Sequence, residues 1–143
     1  MVYYLNHPEI ESKQSFLRWL AGAARQAHEA SAASWDLMQA LAQERILHLA
    51  IEAVTDLGNL LIDGFMMRDP SSYEDIIDVL KTENVVDAAT ADSLIELVRC
   101  RKALLQDYVR LDRETVHPLL AGLPDLLASF ADQTAEYVKT NQL

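Results

Sequence analysis

A chain of 143 residues suits one compact domain around one core. Half of the residues are hydrophobic and there are only 4 Gly and 4 Pro, so long helices with short connections are expected. A formal charge of −10 argues against broad electrostatic binding of nucleic acid and leaves room only for RNA held at one small basic cleft.

Asn6-His7-Pro8-Glu9 supplies a cap, an early proline and an acid, and predicts a first helix from about Pro8 to Ala30. Its inner face is Phe16, Leu17, Leu20 and Ala24. Ser31 to Ser34 connects to a longer helix, about Trp35 to Phe65, with Leu41, Ile46, Leu49, Ala53, Leu57, Leu60 and Leu61 facing the core. The second helix also carries Arg45, His48, Glu52, Asp56, Asn59 and Asp63. Their three- and four-residue spacing puts all six along one side. This helix has no His-x-x-x-His or Glu-x-x-His pattern, which argues against a metal site, and no cofactor is expected.

Gly64 marks a stop, and Met66 to Pro70 reads as a loop. Ser71 with Glu74, or Ser72 with Asp75, offers a capping box for a short helix from Tyr73 to Lys81 that buries Tyr73, Ile76, Ile77 and Leu80. Residues 82 to 89 connect, and Thr90 is read as the cap of a fourth helix ending near Tyr108 or Val109. Asp112 is read as the cap of a fifth, from Arg113 toward Val138, broken or kinked near Ala121 to Pro124. No alternating strand pattern appears, so the expected fold is an all-α bundle of about five helices in a single domain over residues 1–143. Cys100 is the single cysteine, which excludes an internal disulfide framework and fits a reducing compartment. Residues 1–14 lack the basic start and apolar run of a signal peptide, and no apolar run is long enough for a bilayer. A cytoplasmic location without a membrane partner is therefore expected. His7, His28 and His117 are read as surface histidines.

The fourth helix breaks its own pattern. Leu94, Leu97, Val98, Leu104 and Leu105 form an apolar stripe, and Arg101 lies within it, one heptad after Leu94 and one before Tyr108. A guanidinium on a core seam needs a carboxylate, a phosphate or a polar cleft. Glu52 and Asp56 on the second helix are the candidate carboxylates. A buried pair of this kind costs about 3–5 kcal/mol to break from one side. Arg99, Arg101, Lys102, Arg110 and Arg113 outnumber Asp107 and Asp112, so a basic island stands in an acidic chain. Apart from Arg101, those cations also suit a solvated helix C-terminus.

Two stretches carry a family resemblance. Residues 51–59, continuing through Ile62-Asp63-Gly64-Phe65 to Met67-Arg68-Asp69-Pro70-Ser71-Ser72-Tyr73-Glu74-Asp75-Ile76-Ile77, closely resemble the YutE branch of the HepT-like family, within the HEPN superfamily. Arg101-Lys102-Ala103-Leu104-Leu105-Gln106-Asp107-Tyr108 resembles that family's R-x4-H-x-Y motif. The resemblance implies a HEPN-like helical bundle acting as a homodimer, and a ribonuclease toxin that cleaves RNA without metal in a cleft at the dimer interface. It also implies pairing with a nucleotidyltransferase antitoxin of the MntA type, which adenylylates the motif tyrosine. Carried over by position, Arg101 matches the catalytic arginine and Tyr108 the modified tyrosine. Gln106 stands at the catalytic histidine, with Lys102 and Arg99 as substrate-binding cations and Glu52 and Asp56 as supporting acids.

The substitution at Gln106 changes the chemistry. Cleavage at the 2′-hydroxyl needs a group that exchanges a proton and positive charge on the phosphate. Glutamine offers hydrogen bonds but no titratable proton. In a regular helix Gln106 lies about 140° round from Arg101, so a shared site needs a loosened helix end or a second protomer. Two expectations stand side by side. One is a ribonuclease toxin of weakened or lost activity. The other is a non-catalytic HEPN protein that binds a nucleotide, RNA or partner in the same cleft.

Overall fold

The structure, a computed structural model, describes residues 4–142. The first residues of the stretch read for a signal peptide, and the very ends of the expected domain, lie outside it. Among the described residues there is no strand.

Helix α1 (His7–Ala33) begins at the expected cap, where the Asn6 side chain accepts from the Glu9 N–H at 3.3 Å. Helix α2 (Leu37–Gly64) opens on a reciprocal capping box between Asp36 and Gln39. Helix α3 (Tyr73–Thr82) is capped by Ser72, whose hydroxyl accepts from the Asp75 N–H at 3.0 Å. The Asp75 carboxylate turns outward instead. The bidentate Arg68 guanidinium and the Ser71 N–H hold it well below the usual carboxylate range.

Helices α4 (Ala88–Arg99), α5 (Arg101–Leu105) and α6 (Leu123–Asn141) complete the bundle. Gln14 with Thr134, Arg18 with Asp132 and Arg25 with Asp125 ascend α1 while descending α6, so these two run antiparallel. Lys13 meets Asp56 at 3.8 Å, and residues 34–36 form a tight connection, so α1 and α2 are antiparallel too. Helices α3 and α4 form a second hairpin against α2. Leu17, Leu20, Ile51, Leu57, Leu61, Ile77, Leu94, Leu127 and Phe130 are sealed between them. Each large apolar side chain so buried contributes roughly 1.5–3 kcal/mol. Gly58 lets α3 approach closely, since a Cβ there would meet Ile76 Cγ2 at 2.6 Å.

Several expectations change. Leu41 is exposed, and Ile46, Leu49 and Leu60 only flank the core, because the sealed stripe of α2 runs through Leu47, Ala50, Ile51, Val54, Leu57, Leu61 and Ile62. Asp87, not Thr90, caps α4, accepting from the Thr90 N–H at 2.7 Å. The fourth helix does not run to Tyr108. It tightens at Cys100, whose N–H bonds to the Leu97 carbonyl three residues back, and α5 ends at Leu105. The fifth does not start at Arg113. Asp112 folds its carboxylate onto the Glu114 N–H and the Thr115 hydroxyl, and Pro118 disfavours helical backbone at His117. The expected break lies in place, since α6 starts at Leu123 with Pro124 in its first turn.

Candidate active site

An open cleft of about 400 Å³ lies where α3, α4 and α5 meet, lined by Ser72, Tyr73, Glu74, Val98, Arg99, Arg101, Lys102 and Gln106. The loosened helix end resolves the angular conflict between Arg101 and Gln106 within one chain. Gln106 is the first residue past α5, at φ −115° and ψ −44°, and shares the cleft with Arg101.

Arg101 is held from two sides. Its Nε lies 3.9 Å from Glu52 Oε1 on α2, and its Cζ sits 4.0 Å from the centre of the Tyr73 ring on α3. The Nε is buried without a hydrogen-bond partner, so the contact with Glu52 is an ion pair only. The side chain is 29% exposed and that of Glu52 40%, less buried than a core-seam arginine should be. Solvent screening therefore brings the expected 3–5 kcal/mol cost of breaking this pair down to about 1 kcal/mol or less. Asp56 pairs instead with Lys13 on α1, at 3.8 Å.

Glu52 has a second partner. His48 Nε2 lies 3.6 Å from the same Oε1, and Arg45 Nη1 lies 3.2 Å from His48 Nδ1. The polar side of α2 thus joins Arg45, His48 and Glu52 to Arg101. Arg99 is engaged as well, its Nε donating to Glu74 Oε1 at 2.5 Å. That carboxylate offsets one of the cleft's three cations.

Tyr108 is not in the cleft. It lies on a 3₁₀ turn (Tyr108–Arg110), half exposed. Its carbonyl accepts from Arg113 Nη2 at 2.8 Å, and Arg113 Nε pairs with Glu44 Oε1 at 2.6 Å. Trp35 Nε1 donates to the Arg113 carbonyl at 3.1 Å. The turn is thereby fixed to the start of α2, and the shared face expected for Arg101 and Tyr108 is lost with the helix between them.

His117 is half-buried rather than on the surface. Its Nδ1 accepts from the Leu119 N–H at 3.1 Å, its own N–H donates to Gln43 Oε1 at 2.8 Å, and its Nε2 lies 4.0 Å from Cys100 Sγ. Burial pushes the imidazole pKa down; burial, with Glu96 nearby, pushes the Cys100 thiol up. Both groups thus favour their neutral forms. Among the described residues, no group of three or more His, Cys, Asp or Glu is placed to hold a metal ion.

Tyr73 was expected in the core and is instead 43% exposed, as a wall of the cleft. Glu74 and Tyr73 carry no sequence signal for these roles, because each is defined by a residue more than twenty positions away. His48 could be found only through its one-turn spacing to Glu52.

Residues 14–132 match the family model of HepT-like ribonucleases. The chain belongs to the HepT-like ribonuclease family. It is 42% identical over 100 residues to YutE of Bacillus subtilis (strain 168), a protein provisionally named an RNase, covering 70% of this chain and 69% of YutE. The solved structure of B. subtilis YutE, described as a cytosolic protein of unknown function, matches with a TM-score of 0.84 and 33% identity over 97% of this chain and 94% of that one. A toxin–antitoxin structure solved with AMP-PNP matches with a TM-score of 0.74 over 88% of this chain and 97% of that one. At 19% identity that likeness concerns the fold alone. Within this HepT-like chain, no described helix is long and apolar enough to cross a membrane.

Proposed function

We propose that this HepT-like chain cleaves RNA without metal, slowly, in the cleft between α3, α4 and α5. The observation that carries the reading is the meeting of Arg101, Lys102 and Gln106 on one cleft of one chain. Arg101 places fixed positive charge against the scissile phosphate and stabilises the charge that develops there. Lys102 holds a neighbouring phosphate. Gln106 donates a hydrogen bond from its amide but exchanges no proton, so water must serve as acid and base, and the rate falls accordingly. Glu52 supports Arg101 by charge.

On the same reading the protein works as a cytoplasmic homodimer toxin held in check by a nucleotidyltransferase antitoxin of the MntA type. Tyr108 is its modification site, and its half-exposed ring suits access by a modifying enzyme. Gln106 also favours a second reading, a non-catalytic protein that binds RNA, a nucleotide or a partner through the same residues. The test is cleavage of single-stranded RNA, without added metal, by wild type and by Arg101→Ala. Cleavage by wild type that Arg101→Ala loses supports the enzyme. Binding without cleavage turns the decision to the second reading.

A further inference from the structure

Tyr73 is a large ring in an unusual place. Helix α3 meets the core through Ile76, Ile77, Val79 and Leu80, all buried, whereas Tyr73 in its first turn stays 43% exposed. Its ring does not serve the core. It carries the Arg101 guanidinium over one face at 4.0 Å, and both groups line the cleft. The Tyr73 ring and the guanidinium over it together offer a stacking platform in the cleft. Nucleobases stack on either kind of plane.

The surrounding charge limits what else can supply affinity. Glu74 takes Arg99 and Glu52 shares Arg101, in a chain of net charge −10. Few cations remain to meet phosphates, so a long electrostatic track is absent from this cleft and stacking must contribute. A paired base is already stacked on both faces and cannot reach the platform; an unpaired one can.

We propose that Tyr73 is a base-stacking residue, so that the cleft takes one unpaired nucleotide of single-stranded RNA. The base rests on the Tyr73–Arg101 platform, its edge faces the Gln106 amide, and its phosphate meets Lys102. This rests on the RNA-cleaving reading and adds to it the residue that holds an unpaired base.

The test uses the full chain and a 2′-O-methyl RNA oligonucleotide, which binds but lacks the attacking hydroxyl. Binding is followed by fluorescence anisotropy for the intact strand, for strands with one abasic position, and for the duplex of the same sequence. Wild type should lose on the order of tenfold in affinity when the stacked base is removed, and should bind the duplex more weakly than the single strand. Tyr73→Leu should bind the intact strand about as weakly and be indifferent to the missing base. Tyr73→Phe, which keeps the ring, should restore the dependence on the base. Salt dependence should be shallow, with a slope near −0.7 for each phosphate contacted. Thermal melts of the variants exclude unfolding as the cause. If wild type ignores every abasic position, or Tyr73→Leu still responds to one, or the duplex binds equally well, the inference fails. Cleavage of ordinary RNA by the same wild type would then leave the enzyme reading standing. Neither binding nor cleavage by wild type would sink both.

Discussion

The α1–α2–α6 layer and the segment from Cys100 to Gly122 are held in opposite ways. The layer is a continuous apolar seam in which Leu17, Leu57, Leu61, Leu127 and Phe130 have no measurable exposure. The segment seals only Leu120 and is pinned by separate polar ties: Arg113 to Glu44, Trp35 to the Arg113 carbonyl, and Gln43 to the His117 N–H. Apolar burial is non-directional and cumulative, whereas each polar tie is directional and contributes little net stability. A molecule built this way can carry its chemistry on the weakly held part without staking its fold on it. The first test of that division is Phe130→Ala, which should cost about 3–5 kcal/mol by loss of packing and the cavity left behind. Chemical denaturation measures it. Cleavage per folded molecule should not change; a variant whose activity falls further than its folded fraction would break the division.

Arg101→Ala is the reverse case. Removing a charge-stabilising group of this kind should lower cleavage by about 10²–10³. Its effect on stability should stay near 1 kcal/mol or below, because the ion pair with Glu52 is half-solvated at 3.9 Å. A melting temperature that falls as far as that of Phe130→Ala would mean that Arg101 is structural.

The same division decides what could be seen in the sequence. Helices α1, α2 and α6 repeat an apolar spacing over many turns, and the Asn6 and Ser72 caps use partners three residues away. Both kinds of signal are local. The arrest of α5 at Leu105 is not. The chain beyond it is fixed by Glu44, Gln43 and Trp35, each more than sixty positions back, and no local pattern reports such ties. Helical periodicity therefore reads on through Tyr108 and past Asp112, where the helix does not hold. Arg101 was legible because a charge on an apolar stripe needs a partner, and Glu52 is that partner. Tyr73 shares with Ile76, Ile77 and Leu80 the spacing of a core residue, and only the approach of Arg101 reveals otherwise.

Gln106→His sharpens the comparison from within the segment. Gln106 is exposed at the end of α5, so the imidazole fits without repacking. It would add a group that exchanges a proton near neutral pH beside Arg101. Cleavage should rise by roughly tenfold, short of the 10²–10⁴ of an evolved acid or base because its orientation is not fixed by packing. Stability should be unchanged. A single-turnover assay on single-stranded RNA measures the rise, and an unchanged rate would place the limiting step outside proton transfer.

The smallest effect expected is the pH response of the segment. His117 is the imidazole that burial holds below its ordinary pKa, and its Nδ1 accepts the Leu119 N–H. Protonation would set a donor against that donor and place a charge beside the half-buried Cys100. The sign follows from linkage. The unfolded chain binds a proton at His117 at a higher pH than the folded chain does, so stability is full above the unfolded pKa near 6.5 and falls as pH drops toward the folded value. One complete proton difference would give about 1.4 kcal/mol per pH unit, and the ring's partial exposure keeps the real slope well under that. Denaturation midpoints of wild type between pH 7 and pH 5 should therefore decline gently, and those of His117→Gln should decline less. Since none of the histidines on α1 and α2 is buried in the apolar seam, hydrogen exchange should find the loss in residues 111–122 before α1 or α2. Equal loss in both regions would show that the segment and the layer unfold as one unit.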